Sequence, residues 1–363
     1  MLEPTLTHLR ALVGFDTRNP PRAIDSGGIF DCLEAQLPGF KLTLTDHGAG
    51  AVSLLAVRGK PRLLFNVHLD TVPDSPHWSD SPFELRITEQ RAIGLGACDI
   101  KGAAAAMLAV AQASEGDCAF LFSSDEEAND ARCVPNFVRG DHPFEAVIVA
   151  EPTCGEAVLA HRGINSVMAR FAGHAGHASG KQGRSDSALH QAVRWGSRAL
   201  DVVEGQAHQR FGGLTGLRFN LGRIEGGIKA NVIAPEAEVK FGFRPLPSMD
   251  PDTLLDTFRA CADPAPAEFR ETFRGPSLPA GDVAGAEARR LIARDLADEL
   301  EVPIGNAVDF WTEAALFSAA GYTTMVFGPG DIAQAHTADE WVALDQLATY
   351  ADHLYRIIDH GHA

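Results

Sequence analysis

The feature that most constrains the fold is a set of short apolar runs that each end abruptly in polar or glycine-rich sequence. The runs are rich in β-branched and aromatic residues, which is typical of buried strands. They cover residues 63–67, 119–122, 146–150 and 324–327. Helical segments are predicted at residues 102–113, 284–300 and 344–358. This alternation predicts an α/β fold with a mostly parallel sheet, whose ligands bind beyond the carboxyl ends of the strands.

The middle of the chain has a different pattern, because polar residues alternate with apolar ones. Strands are predicted there at residues 166–171, 217–224 and 237–243. A helix is predicted over 185–203, with Ser185 or Asp186 as its N-cap. We therefore expect a discontinuous catalytic α/β domain of residues 1–161 and 276–363. A smaller α+β domain of residues 162–275 would be inserted into it.

The charge of the chain argues against two kinds of partner. Its 31 basic and 48 acidic residues give a formal net charge of −17. Because phosphate backbones and anionic membranes are bound by basic patches, we expect neither nucleic acid nor membrane as a partner. No apolar stretch approaches the roughly 20 residues of a membrane span, and residues 1–15 lack the pattern of a secretory signal. The six cysteines form no C-x-x-C pair, which favours reduced thiols and a cytoplasmic location.

Two motifs near the first half of the predicted sheet contain possible metal ligands. His68 and Asp70 follow the first apolar run and lie two residues apart, so their side chains share one face. A metal-bound imidazole is commonly held by a carboxylate through its other nitrogen, although both residues could instead cap backbone groups in a turn. Asp99 lies in the glycine-rich loop 94–102, which matches neither a dinucleotide loop nor a P-loop. We interpret Asp99 as a ligand, with a helix cap as the alternative.

Further candidate ligands follow the other apolar runs. Asp125, Glu126 and Glu127 place three carboxylates in a row, where most acidic runs would be solvated surface. Adjacent like charges at a sheet edge need a cation or a raised pKa, so a metal site would use one carboxylate as ligand and another as base. Glu151 follows the third run, and His336 lies beyond the fourth run and its Gly-Pro-Gly turn.

Together these motifs supply two imidazoles and three carboxylates. The proposed ligands are His68, Asp99, Glu127, Glu151 and His336. With Asp99 as a bridge, each of two metal ions receives one histidine, the bridge and one further carboxylate. This nitrogen and oxygen set suits two Zn²⁺ ions at a catalytic site, with Co²⁺ or manganese as alternatives.

In the order and spacing of these motifs the chain resembles a family of di-zinc hydrolases. The family comprises acetylornithine deacetylases, succinyl-diaminopimelate desuccinylases and related aminoacylases and carboxypeptidases, and the resemblance covers essentially the whole chain. Within it, the run 306–314 favours the branch of acetylornithine and N-acetylcitrulline deacetylases. The resemblance implies that the two glutamate ligands bind opposite ions, that Asp70 orients His68, and that Glu126 is the general base.

The resemblance also implies roles for the inserted domain, which would be a lid that forms a homodimer. His177 would reach the active site of the partner subunit and stabilise the charge that develops on the acyl oxygen. Asn231 belongs to a motif that binds the substrate carboxylate. Arg244 is suited to hold the free α-carboxylate through two hydrogen bonds.

Three more residues are assigned to substrate binding, namely Glu313, Gly328 and Gly330. Many family members carry a Gly-Ser/Thr-Asp segment where this chain has Trp311, Thr312 and Glu313. The choice between the ammonium of ornithine and the neutral ureido group of citrulline is therefore left open. A buried ion pair is the alternative for Glu313.

The sequence thus predicts a metal-dependent amidohydrolase that removes an acetyl group from an N-α-acetyl amino acid. N-acetylcitrulline or N-acetylornithine would be the small-molecule substrate, in arginine biosynthesis. A succinyl-diaminopimelate desuccinylase or a small-peptide metallo-exopeptidase is the alternative among hydrolases. A catalytically silent metal-binding protein would have lost the base or some ligands, and neither is missing.

Overall fold

The structure is a computed structural model that describes residues 1–21, 24–128, 130–180 and 186–360. The chain divides into two compact units. The first unit comprises Met1–Leu159, Ala288–Gly305 and Thr312–Ala363. The second unit comprises Ala160–Glu287 and Asn306–Trp311.

The elements are numbered in chain order. The α-helices are α1 (Leu2–Val13), α2 (Ile29–Gln36), α3 (Lys101–Ala113), α4 (Cys133–Phe137), α5 (Ala188–Gly205), α6 (Pro251–Ala260), α7 (Ala286–Glu299), α8 (Ala314–Ala319) and α9 (Leu344–Asp359). The first strands are β1 (Lys41–Asp46), β2 (Val52–Arg58), β3 (Leu63–His68), β4 (Arg86–Ile87), β5 (Arg91–Ile93), β6 (Cys118–Ser123) and β7 (Ala146–Val149). The later strands are β8 (Ile164–Ala172), β9 (Arg210–Phe211), β10 (Leu214–Thr215), β11 (Arg218–Gly226), β12 (Glu236–Arg244), β13 (Glu268–Gly275), β14 (Thr323–Val326) and β15 (Trp341–Ala343).

The first unit is built on a six-stranded sheet of order β1-β2-β6-β3-β7-β14. Strands β6, β3, β7 and β14 are parallel neighbours, whereas β2 runs antiparallel to β6 and to β1. Every residue of β3, β6 and β7 is buried, as expected for parallel strands that are covered on both faces. The predicted α/β class with a mostly parallel sheet is confirmed.

The alanine-rich helix α3 is the central helix of the first unit. It contacts α1, α9 and the strands β3 and β6. Its residues from Lys101 to Ala111 are all buried, because short alanine side chains allow close approach on several sides. The N-terminus of α3 is thereby fixed next to the loop that precedes it, which contains Asp99.

The second unit contains a four-stranded antiparallel sheet of order β11-β12-β8-β13. Helices α5 and α6 contribute to the same hydrophobic core, in which Trp195, Phe241, Phe243 and Phe258 are buried. Along β12 the buried residues alternate with more exposed ones, the pattern of a sheet with one covered face.

Helix α5 begins later than the sequence predicted. Its N-cap is Ser187, whose hydroxyl accepts a hydrogen bond from the backbone N–H of His190. The prediction of Asp186 as the cap is therefore wrong, and Ser185 lies outside the described residues. The cap at Asp186 fails because another polar residue, Ser187, immediately precedes the first helical turn and supplies the capping hydroxyl.

Two further observations concern the predicted environment of the chain. None of the helices in the described ranges is both long and apolar enough to cross a bilayer. The six cysteines are all free thiols.

Candidate metal centre

The five predicted ligands meet at the carboxyl edge of the parallel strands of the first unit. His68 is the last residue of β3, Glu127 follows the end of β6, and Glu151 follows the end of β7. Parallel strands place their carboxyl ends at one edge, so three separate sequence motifs converge there. Asp99 and His336 come from loops, the first directly before α3 and the second before β15.

The ligand atoms form two groups that share one residue. His68, Asp99 and Glu151 form the first group, in which all three ligand atoms lie within 4.8 Å of one another. The Nε2 atom of His68 lies 3.1 Å from Oδ1 of Asp99 and 3.9 Å from Oε1 of Glu151. All three side chains are buried.

The second group consists of Asp99, Glu127 and His336, again with ligand atoms within 4.8 Å of one another. The Nε2 atom of His336 lies 3.1 Å from Oδ2 of Asp99 and 2.9 Å from Oε1 of Glu127. Asp99 therefore contacts one histidine with each of its two carboxylate oxygens, which is the arrangement that the sequence predicted for a bridging ligand.

The electrostatics of the site call for cations. Burial, together with the neighbouring charge of Asp99, raises the pKa of Glu151 well above its usual range. The pKa of His336 is raised to about 10, mainly by its hydrogen bonds with Asp99 and Glu127. Burial opposes the charged form of His68, but hydrogen bonds with Asp70 and Asp99 outweigh burial and raise its pKa well above the usual range. Protons here compensate carboxylates that a bound cation would compensate instead.

The donors present fit a pair of divalent ions. Each group combines one imidazole nitrogen with two carboxylate oxygens, a set that zinc and similar metals accept. Within the two groups, ligand atoms lie 2.9, 3.1 or 3.9 Å apart. Each of these distances is shorter than about 4.2 Å, which is twice a normal zinc–ligand distance. Two donors of one group can therefore bind the same ion without a change of fold.

Asp70 contacts His68 at the ring nitrogen that does not face Asp99. The Nδ1 atom of His68 lies 3.0 Å from the carbonyl oxygen of Asp70 and 3.5 Å from its Oδ1. The Asp70 carboxylate also accepts hydrogen bonds from the backbone N–H groups of Glu126 and Glu127, at 3.2 and 3.0 Å. Asp70 thus contacts a candidate ligand histidine and also holds the segment that contains Glu127, which is more than the turn cap that was the alternative.

Glu126 and Glu127 differ in what their side chains contact. Glu127 contacts His336, whereas among the described residues Glu126 belongs to neither ligand group. Burial raises the pKa of Glu126 to about 8; His68 opposes the shift, and the Glu127 carboxylate adds to it.

The alternative interpretation of Asp99, as a helix cap, is not what is observed, because the N-cap of α3 is Ile100.

Three of the predicted site residues, His177, Asn231 and Arg244, belong to the second unit. His177 is exposed, and its Nδ1 lies 2.8 Å from the hydroxyl of Ser179. The His177 segment runs beside the Asn231 segment, since the N–H of Ala178 donates to the carbonyl of Asn231 at 3.1 Å. Arg244 is the last residue of β12, and partial burial lowers its pKa.

Gly328 and Gly330 lie against segments that contain ligands or their neighbours. A side chain at Gly328 would approach the carbonyl oxygen of Glu151 to 2.5 Å, and one at Gly330 would approach Sγ of Cys98 to 2.6 Å. Gly330 also has a positive φ of 88°, which favours glycine. Both glycines therefore have a packing role beside Glu151 and Cys98, and their contact with substrate remains a prediction.

Glu313 is buried, at the N-cap of α8. Its Oε2 accepts a hydrogen bond of 3.2 Å from Ser123, while its Oε1 is buried and has no hydrogen-bond partner among the residues that the structure describes. Burial and the negative charge of Asp125 raise its pKa well above the usual range, so the neutral acid is favoured. In the structure Glu313 thus lies beneath the end of β6, and substrate binding by Glu313 remains a prediction.

Sequence reasoning missed the residues that hold the ligands. Asn19 donates a hydrogen bond of 3.0 Å to the carboxylate of Asp70. Glu340 accepts hydrogen bonds from the loop of Asp99, and Lys101 is fully buried beside that loop. The sequence marks Glu340 only by its place four residues after His336. Lys101, two residues before the run of alanines in α3, is a second sign, because a charged residue at the start of an apolar helix is rarely buried without a function or a partner.

Comparisons with known proteins agree with this geometry. Residues 64–360 match the peptidase family M20/M25/M40. The chain is 70% identical to N-acetyl-L-citrulline deacetylase of Xanthomonas campestris pv. campestris, over 100% of this chain and 99% of the relative. It is 31% identical to acetylornithine deacetylase of Myxococcus xanthus, over 87% of this chain and 86% of the relative.

Solved structures agree at the level of the fold. The YXEP protein of Bacillus subtilis, a dinuclear metal-binding peptidase of the M20 family, is similar with a TM-score of 0.66. The similarity covers 98% of this chain and 97% of that protein, at 14% sequence identity.

Proposed function

Because this chain belongs to the peptidase family M20/M25/M40, we propose that it is a metal-dependent amidohydrolase that deacetylates N-α-acetyl amino acids. The observation that carries the reaction type is the pair of ligand groups that share Asp99, with Glu126 beside them. The substrate follows from the relative of 70% identity, so N-acetylcitrulline is the first candidate. N-acetylornithine is the second, because a relative of 31% identity is named for that activity.

The chain would hold two divalent ions, which we infer to be zinc, with cobalt as the alternative. His68 and Glu151 would bind one ion, His336 and Glu127 the other, and Asp99 both. Bound ions of this kind polarise a carbonyl group and make water acidic enough to ionise near neutral pH.

Glu126 is the residue that we assign to proton transfer. Its backbone is fixed by Asp70, and its carboxylate is left out of the ligand groups among the described residues. It would take a proton from the attacking water and deliver a proton to the leaving amine. Burial raises the pKa of the Glu126 carboxyl above its usual range, and a carboxyl group with a raised pKa is suited to accept one proton and return another.

We assign the second unit to substrate binding and to a homodimer, as the family resemblance implies. It would correspond to the predicted lid at residues 162–275. Arg244 and Asn231 would bind the free α-carboxylate, and His177 would stabilise the charge on the acyl oxygen in the site of the partner subunit. The free thiols favour a cytoplasmic enzyme, and deacetylation of N-acetylcitrulline or N-acetylornithine would be a step of arginine biosynthesis.

Acetate release tests this proposal. Metal-loaded protein is incubated with N-acetylcitrulline, N-acetylornithine and, for succinate release, N-succinyl-diaminopimelate, each at several concentrations. We expect acetate from N-acetylcitrulline with the highest kcat/KM, and a kcat lowered by about 10²-fold or more in the Glu126→Gln variant purified in parallel. Folded, metal-loaded protein that releases acetate from neither acetyl substrate would contradict the proposal. Preferential release of succinate would favour the desuccinylase alternative.

A further inference from the structure

We propose that Glu340 is a positioning residue that fixes the loop of Asp99 and thereby sets both metal-binding positions at once. The inference rests on the proposed function only for the presence of two metal ions, and it does not depend on the substrate. Glu340 is not a ligand in either group among the described residues. Glu340 would act through Asp99, which belongs to both groups.

The carboxylate of Glu340 accepts three backbone hydrogen bonds from one short loop. Its Oε2 accepts from the N–H of Gly96 at 2.9 Å. Its Oε1 accepts from the N–H groups of Cys98 and Asp99, at 2.8 and 2.9 Å. The residue is 2% exposed, so water does not replace these bonds. Hydrogen bonds to a charged acceptor in a buried setting are the strong ones.

The backbone of Glu340 is fixed to the same region. Its carbonyl oxygen accepts a hydrogen bond of 3.0 Å from the N–H of Gly94. The following strand, β15, pairs antiparallel with β5, which ends at Ile93. The side chain and the main chain of Glu340 thus hold successive parts of the segment 93–99, and the carboxylate has little freedom to move away.

A buried carboxylate must be compensated by charge or hydrogen bonds. The three N–H groups supply part of this, and Lys101, which is fully buried, lies close enough for its charge to interact with Glu340. The Nζ of Lys101 is itself fixed by the carbonyl of Phe15 at 3.0 Å. The loop of Asp99 therefore adjoins two buried ionisable side chains, of which Glu340 bonds directly to the loop and Lys101 is anchored on Phe15.

The shared position of Asp99 predicts how a displaced loop would affect metal binding. Asp99 is the one residue common to both ligand groups, whereas Glu127 and Glu151 each belong to one group. Displacement of the Asp99 loop should weaken the binding of both metal ions. A change at Glu151 should weaken mainly the binding of one of the two ions. A general loss of stability would instead leave the affinity of molecules that remain folded unchanged.

The test compares Glu340→Gln with Glu89→Gln, a matched control that removes the same charge at an exposed position near the turn between β4 and β5. Metal-free proteins are titrated with Co²⁺ against a competing chelator, and both binding steps are followed by visible absorption. We expect the apparent affinities of both steps to fall by about 10- to 100-fold in Glu340→Gln, the usual effect of removing a group that orients a ligand. Glu89→Gln should bind as the unmodified protein does.

Two results would overturn the proposal: unchanged affinities in folded Glu340→Gln, or a loss confined to one of the two steps. If this variant does not fold, hydrogen–deuterium exchange of the unmodified, metal-free protein decides. The amides of Gly96, Cys98 and Asp99 should then exchange slowly, because their bonds to Glu340 need no metal. Exchange as fast as that of exposed amides would refute the assignment. Tight binding of two ions without any deacetylase activity would refute the proposed function and leave this inference intact.

Discussion

Three adjacent carboxylates, Asp125, Glu126 and Glu127, have three different surroundings. Asp125 accepts backbone hydrogen bonds from Arg132 and Cys133, at 2.6 and 3.1 Å, and so closes the loop that follows β6. Glu127 contacts His336. Glu126 lies between them with a pKa that burial raises to about 8. At the scale of single residues, function is therefore assigned by contacts, because the residue types are almost the same.

The first prediction separates the two glutamates. Glu126→Gln should still bind two metal ions but lower kcat by a factor of about 10² to 10⁴, because an amide cannot transfer protons. Glu127→Gln should instead weaken metal binding. Metal content by atomic emission and kcat on N-acetylcitrulline, measured on the same preparations, check both statements. If Glu126→Gln loses metal while Glu127→Gln retains it, the two assignments must be exchanged.

At this scale the sequence predicts the residues that form the two candidate groups, but not the residues that support them. His68 and Glu151 each follow a buried apolar run, so their position at the sheet edge could be inferred from the pattern. Asn19 and Glu340 support residues that are 51 and 241 positions away along the chain. A hydrogen bond between such distant positions has no periodicity or spacing from which it could be predicted.

Elements differ in how strongly their own sequence determines where they begin. Helix α5 has polar residues at several positions before its first turn, and the structure selects Ser187 as the cap. The cap satisfies the N–H of His190, one of the first backbone donors that have no partner within the helix. The cap of α5 can be tested by a substitution that leaves the residues of the candidate metal centre unchanged.

We predict that Ser187→Ala destabilises the protein by about 1 kcal/mol, the usual loss when an N-cap is removed. Ser197→Ala is the matched control, because Ser197 is exposed in the interior of the same helix. There alanine should be neutral or slightly stabilising, since it has the higher helix propensity. Chemical unfolding that follows helix content measures both. Equal effects of the two substitutions would show that Ser187 does not cap the helix.

The four apolar runs singled out in the sequence correspond to β3, β6, β7 and β14, whereas α1, β1, β2 and the shortest strands were not predicted. The strands around residues 63–68 and 118–123 stood out because most of their residues are apolar. The sheet of β4, β5 and β15 was missed, since its strands have only two or three residues. Its pairing joins residues 91–93 to 341–343, a separation over which no local pattern extends.

At the scale of the whole molecule, the chain divides into two compact units. The insert at residues 162–275 is a prediction that rests on the change in strand pattern at the middle of the sequence. The ligand groups belong to the first unit, and His177 belongs to the second. Periodicity and spacing within one chain cannot show which residues a partner subunit contributes, because the pairing of subunits is a property of two surfaces, so His177 was assigned only through the family resemblance. The proposed role of His177 therefore needs a test on mixed subunits.

We predict that His177→Ala lowers kcat by about 10² to 10³, the effect of removing a donor to a developing oxyanion, and leaves the metal content unchanged. If His177 acts across a dimer, mixing this variant with Glu126→Gln should restore up to half of the unmodified activity. One site of the mixed dimer then has an intact Glu126 from one chain and an intact His177 from the other. Tagged pull-down must first demonstrate the mixed dimer, and no recovery in it would place His177 within its own chain or outside catalysis.

The central claim is that five side chains hold two ions through the shared carboxylate of Asp99, and that both ions are needed for hydrolysis. Metal-free protein is titrated with Zn²⁺ or Co²⁺ while acetate release from N-acetylcitrulline is measured at each addition. We predict no activity without metal and a plateau at two equivalents, because five ligands exceed what one catalytic ion with an open position would use. Full activity after exhaustive chelation would contradict the claim.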